Sequence, residues 1–238
     1  MLGSIKSDTP WVWGAKGKHP VAKDYIAIGD QTPLLMAFSD WMESGYAKTD
    51  HIDSALFSWR FWAKGVNKND LVCGLIRDSH DSFGRPYPFL VMGTGPLPGW
   101  EDRWELLPYI LENAWTRLEY FSTKKTTDYS ALERELQWIP HPVLNEDKEI
   151  PSGLGSSAVD ILQNILPSKE LLIDITAPDS PDPADTIALW HRSLKTSSSR
   201  TPNAVFIGGT AQKTLLAVYE RSLLAGDFIR LWSVDKTD

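Results

Sequence analysis

Three apolar runs dominate the middle of this chain: ALFSWRFWA (55–63), LVCGLIR (71–77) and YPFLVMG (87–93). Each has the length of a strand and is bounded by Gly, Asn, Asp or Pro. The separations are too short for the dozen or more residues that a parallel crossover needs, so the three runs are expected to pair as antiparallel neighbours. The first run carries Phe57, Trp59, Phe61 and Trp62, which puts aromatic side chains on both faces of the strand. A sheet built around it therefore calls for cover on both sides, and core packing is the reading favoured for these rings over a recognition groove. With 11 Trp and 42% hydrophobic residues in 238 positions, the chain has enough apolar material for a large core.

Helices are expected around this centre. In TPLLMAFSDWMESGYA, Thr32 serves as N-cap, Pro33 takes N1, and Leu34, Leu35, Phe38, Trp41 and Met42 recur at helical spacing. WEDRWELLPYILENAWTRLEYF (100–121) reads as a second helix, bent or restarted at Pro108. A shorter one at DYSALERELQWI starts from Asp128 or Ser130, and PHPVLNEDKEIPSG then forms a connector. Before all of these, PWVWGAKGKHPVAKDYIAIG suits a short strand and an ordered loop. The last third offers an amphipathic helix at 156–166, a strand at ELLIDIT, a Pro/Asp-rich loop, a strand at NAVFIGG, and a helix at AQKTLLAVYERSLLAG closed by Gly226. Strand, helix and strand alternation there points to parallel pairing, so the expected α/β fold has one mixed, partly antiparallel sheet flanked by helices. One domain over 11–238 with a flexible segment at 1–10 is expected.

Charge and composition narrow the function. The 31 acidic against 24 basic residues leave a net −7, which speaks against a nucleic-acid partner. The single cysteine, Cys73, sits inside an apolar run and reads as a small buried hydrophobe. No apolar stretch reaches the length of a membrane span, and MLGSIKSDTP lacks a signal-type segment, so no membrane insertion and a cytoplasmic location are expected. His19, His51, His80, His141 and His191 show no metal-ligand spacing, and neither metal nor cofactor is expected.

The most chemically dense stretch is RDSHDSFGRPYPF (77–89). A triad drawn wholly from it is improbable, because neighbouring side chains diverge. A turn explains the same residues: Ser79, Asp81 and Ser82 bond nearby backbone, Gly84 supplies a positive φ, and Arg85 forms a two-pronged bond to Asp81 or another carboxylate. Two other chemistries remain open. One is a small-ligand or hydrolytic site that uses residues 78–85 with a distant His. The other is an anion site on the amides after Gly208 in FIGGTAQKT, which fails the Walker A pattern because Gln212 and Ile207 stand where its glycines belong.

Four blocks carry a family resemblance. GKHPVAKDYI (17–26) is similar to a G-K-x-P-x-x-G-D-F-[VI] opening, with Lys23 in place of the usual Gly, which implies an altered turn. WRF (59–61) matches a W-R-F strand. Ser79, Asp81, Gly84, Arg85, Tyr87, Pro88 and Phe89 meet S-x-D-x-x-G-R-x-[FY]-P-[FL]. IALWHRS, PNAVFIGG and DFIRLW are similar to C-terminal S-L-W-W, P-x-x-L and F-x-x-L blocks. In this the chain resembles the TagF family, also called ImpM, of type VI secretion accessory proteins. The resemblance implies a three-layer α/β/α fold and a non-catalytic, cytoplasmic, post-translational regulator, generally a repressor, of type VI secretion assembly. It further implies action on the forkhead-associated scaffold protein Fha. Lys18, Asp24, Asp81 and Arg85, polar residues within the blocks, are the candidate binding residues.

Overall fold

The structure is a computed structural model that describes residues 10–49, 56–144, 149–150, 169–176, 183–198 and 200–233. One eight-stranded sheet organises it. The strands are β1 (Val12–Lys18), β2 (Tyr25–Gly29), β3 (Ser58–Lys64), β4 (Asp70–Arg77), β5 (Phe89–Pro96), β6 (Glu170–Asp174), β7 (Ala204–Gly209) and β8 (Thr214–Tyr219). They lie in the order β2-β1-β5-β4-β3-β7-β8-β6.

The three central runs pair as their spacing requires. β3 pairs antiparallel with β4, with Phe61 opposite Gly74, and β4 pairs antiparallel with β5. The tight β3–β4 turn is held by Gly65 N–H to the Asp70 carbonyl (2.9 Å) and by the Asp70 carboxylate, which accepts from Asn67 N–H (3.2 Å). Side chains then alternate between two cores. Trp59, Phe61, Val72, Ile76, Leu90 and Met92 point to one, and Trp62, Cys73, Leu75, Phe89 and Val91 to the other.

The expectation of a mixed sheet is wrong: every pairing among the eight strands is antiparallel. The error lies in AQKTLLAVYERSLLAG, which is a strand for most of its apolar length rather than a helix. Thr210 N–H bonds the Lys213 carbonyl (3.1 Å), which closes a tight turn and sends β8 back along β7. Leu215, Ala217 and Tyr219 then fill one core while Leu216 and Val218 fill the other. A strand buried on both faces reads as an unbroken apolar run, which periodicity does not separate from a helix. With that segment a strand, the supposed crossover disappears. Gly226 stands inside the short helix that follows rather than closing one.

Six α-helices are described: α1 (Pro33–Tyr46), α2 (Leu107–Ile110), α3 (Glu112–Thr123), α4 (Tyr129–Leu136), α5 (Pro183–Ser197) and α6 (Ala225–Leu231). Helix α1 starts as its sequence dictates, with Leu35 N–H donating to the Thr32 hydroxyl (3.1 Å) and Pro33 in the first turn. The 100–121 segment is more broken than expected. It opens as a 3-10 helix over Trp100–Leu106, with Arg103 outside helical geometry, and α3 begins only after Leu111. Pro108 sits in the first turn of α2, where a missing N–H costs nothing. Asp128 caps α4 by accepting from Ser130 N–H (2.9 Å). Leu35, Phe38 and Met42 of α1 and Phe228 and Leu231 of α6 cover one sheet face. The 3-10 segment and α2 to α5 cover the other with Trp104, Leu107, Trp115, Leu132 and Trp190. The expected helix at 156–166, residues 1–9, and most of the Pro/Asp-rich loop lie outside the described residues.

Candidate functional site

Because β1 and β5 are adjacent, the loop after β1 (residues 19–24) lies against the loop before β5 (residues 78–88). Two backbone contacts stitch them: Ser82 N–H donates to the Ala22 carbonyl (2.8 Å), and the Arg85 guanidinium donates to the Lys23 carbonyl (2.6 Å). Gly17 makes the approach possible. Its φ is +131° and a Cβ there would collide with the Pro88 carbonyl oxygen.

Asp81 is the centre of this assembly. It is fully buried, and one carboxylate oxygen accepts from the N–H of Phe83 (2.9 Å) and of Arg85 (3.0 Å). The other oxygen takes the Arg85 Nε–H at 2.7 Å and lies 3.3 Å from the Lys18 ammonium. Burial alone would raise the Asp81 pKa. The Arg85 N–H and guanidinium, the Phe83 N–H and Lys18 outweigh it and hold the carboxyl down at about 2. Gly84 completes the turn with φ +78°, and its N–H donates to the Asp81 carbonyl (2.9 Å).

Lys18, Asp24, Asp81 and Arg85 are thus brought together, but in different states. Lys18 and Asp81 are buried, whereas the Arg85 and Asp24 side chains remain 54% and 68% exposed, 3.9 Å apart. Lys23, the residue that departs from the family pattern, contributes its carbonyl rather than its side chain. Two aromatic rings stand at the rim in solvent, Tyr25 at 58% and Phe83 at 65% exposure. Arg85 lies over the Phe83 ring at 5.6 Å, and Lys18 lies 5.1 Å from the Tyr25 ring. Sequence reading named neither ring; the alternation of β2, with Ile26 and Ile28 inward, was the signal that leaves Tyr25 outward.

On the other side of the same loop is a cavity of about 550 Å³ whose walls include His19, Arg77, Ser79, His80, Phe57 and Trp232. His19 and His80, distant in sequence, therefore share one cavity. The alternative of an anion site on the amides after Gly208 loses its premise, a helix N-terminus. Gly208 and Gly209 end β7 and lead into a strand, so no helix N-terminus follows them. Arg60 of the WRF block faces α3, bonding Glu119 (2.6 Å) and Glu112 (2.9 Å) beneath Trp115. It is a brace between layers.

Residues 14–139, more than half of the chain, match the model of the TagF N-terminal domain, described as type VI secretion system-associated. The chain belongs to the TagF family. The matched segment runs from β1 through α4 and so contains both loops of the Asp81 cluster. Among solved structures the chain is similar to PA0076 from Pseudomonas aeruginosa PAO1, at 19% identity and a TM-score of 0.54. That match covers 92% of this chain and 93% of the other, and establishes likeness of fold. Among curated proteins none matches. This TagF-family chain is type VI secretion-associated, and no helix among its described residues is long and apolar enough to cross a membrane.

Proposed function

We propose that this protein is a non-catalytic regulator that represses type VI secretion assembly from the cytoplasm by holding one of its components, with the forkhead-associated scaffold protein as the partner. The observation that carries this reading is the division of labour in the 78–88 loop. Its inward groups are consumed by Asp81, while Phe83 and Arg85 stand out in solvent, next to Asp24 and Tyr25 of the adjoining β1–β2 segment. A rigid loop that presents an arginine and aromatic rings has the composition of an interface hot spot. Hydrolysis has less support: His80 directs Nδ1 to the neighbouring Asp81 carbonyl at 2.8 Å, and among the described residues no serine hydroxyl is hydrogen-bonded to either loop histidine.

The test combines affinity purification with secretion. Tagged wild-type protein from its host should bring down the scaffold protein or baseplate components, and the double variant Tyr25→Ala/Phe83→Ala should lose that capture while staying folded, with at most a small drop in melting temperature from the lost Tyr25–Tyr87 ring contact. Recovery of unrelated proteins alone, together with unaltered secretion when the protein is deleted, would overturn the proposal.

A further inference from the structure

The sheet ends at β2, and among the described residues no strand lies beyond it. The register tells which of its backbone groups face outward. Asp30 N–H donates to the Trp13 carbonyl (2.9 Å), so Trp13, Ala15 and Gly17 turn their polar groups towards β2, and Lys16 turns its own towards β5. Ala27, opposite Lys16, therefore points its N–H and C=O away from β1, as do Tyr25 and Gly29 on either side of it. All three residues are exposed. Part of this edge is parked on side chains: the Asp24 carboxylate accepts from Tyr25 N–H (2.9 Å), the Tyr129 hydroxyl donates to the Ala27 carbonyl (2.8 Å), and the Gln31 amide donates to the Gly29 carbonyl (3.4 Å). Such caps blunt an edge against indiscriminate pairing, and each is a single bond that an incoming strand can replace. Acids surround the edge. Asp24 and Asp30 are exposed at its two ends, and Glu43 and Glu133 are exposed on α1 and α4, which cover opposite faces of the sheet. Burial, then the charges of Glu43 and Asp24, raise the Tyr25 pKa, and burial with Glu133 raises that of Tyr129, so these carboxylates lie close to the edge. Lys18 and Arg85 are committed to Asp81, and Lys23 is the only base in the 23–31 stretch.

From this geometry we infer that β2 is a docking edge that takes an extended, basic segment of a partner protein as a ninth strand. Ala27 N–H and C=O form the central pair of bonds, the Tyr129 hydroxyl is displaced from the carbonyl, and Lys or Arg side chains of the added strand reach Asp24 and Glu43 on one face and Glu133 on the other. Main-chain bonds of this kind give affinity, and the flanking charges select the partner. A second copy of this chain is a poorer occupant: two β2 strands set antiparallel about Ala27 would put Asp24 of each chain opposite Asp30 of the other, and like charges placed directly opposite destabilise a pair. The edge begins at Tyr25, so the inference rests on the reading of that exposed face as an interface and adds the chemistry that its partner carries.

The test uses the full-length protein and two soluble octapeptides, one alternating Lys and Val and the other alternating Glu and Val, followed by calorimetric titration and amide NMR. The Lys/Val peptide should bind saturably, shift the Ala27 and Gly29 amide signals and slow their hydrogen exchange, and the Glu/Val peptide should do none of this. Tyr129→Phe frees the Ala27 carbonyl and should tighten binding about two- to tenfold. Ala27→Pro removes an outward N–H, which an edge strand tolerates, and should weaken binding about fivefold or more. Asp30→Asn should weaken it about twofold and flatten its dependence on salt. The inference is overturned if the Lys/Val peptide does not bind, if the Glu/Val peptide binds as well, if binding leaves the Ala27 and Gly29 amides unmoved, or if Tyr129→Phe does not tighten it. A concentration-dependent dimer that Ala27→Pro abolishes would overturn it too, by giving the edge to a second copy. Wild type and Tyr129→Phe decide the matter even if Ala27→Pro does not fold. Peptide binding to purified protein is read apart from capture and secretion in the host, so failure of the strand site and failure of the regulatory reading are told apart.

Discussion

Acidification puts His191 under the most direct test. This side chain of α5 is fully buried between the Trp62 and Trp104 rings, at 5.9 and 5.4 Å between centroids. Its Nδ1–H donates to the Ile187 carbonyl (2.8 Å), so Nε2 is an acceptor, and it takes the Trp62 indole N–H at 3.0 Å. Protonation would place two N–H groups face to face and bury a charge. Burial, offset only in part by the bond to Ile187, lowers the His191 pKa to about 4 from 6.5. The unfolded chain therefore takes up a proton near pH 6.5 that the folded one refuses until about pH 4, and stability falls with pH across that window. At pH 5 the loss from this one group is about 2 kcal/mol, and the full window amounts to about 3 kcal/mol. Urea denaturation of wild type and His191→Gln, a side chain that keeps an acceptor near Trp62 but does not titrate, isolates it, because other groups cancel in the difference. The wild-type advantage should shrink by about 2 kcal/mol between pH 7.5 and pH 5. A difference that stays flat over that range, or an NMR titration of His191 near pH 6.5, refutes the reasoning.

Three further outcomes are expected. Gly74→Ala places a Cβ against the Phe61 ring across the β3–β4 ladder, with Met92 behind it, and should cost about 1–3 kcal/mol in urea denaturation; a cost near zero would mean the two core layers yield easily. Asp81→Asn removes the charge that pairs with Lys18 and Arg85, so it should lower the melting temperature at pH 7. It should also remove the wild-type loss of stability expected as pH falls from about 4 towards about 2, the window set by the depressed Asp81 pKa. Cys73 is fully buried and its thiol pKa is raised by burial, so Ellman's reagent should label it only at the rate of unfolding; prompt labelling of folded protein would contradict the packing of β4.

What the chain reveals locally is what short-range physics controls. The Thr32 cap, Pro33 and the spacing of Leu35, Phe38 and Met42 define α1, and the short gaps between the three central runs impose hairpin pairing. The Asp81–Arg85 clasp was legible for the same reason, since donor and acceptor lie four residues apart on one turn.

The remainder depended on neighbours that are remote in sequence. Leu215 to Tyr219 is a strand because the sheet buries both of its faces, and an all-apolar run contains no period from which to read that. Likewise Lys18 meets Asp81, and His19 shares a cavity with His80, only because β1 pairs with β5 rather than with the strand that follows α1. Sequence alone determined the caps, the turn chemistry and the antiparallel centre, each decided within a few residues. Strand order is set by which faces bury one another best across the whole molecule, and that collective choice created both the presented loop and the space behind it.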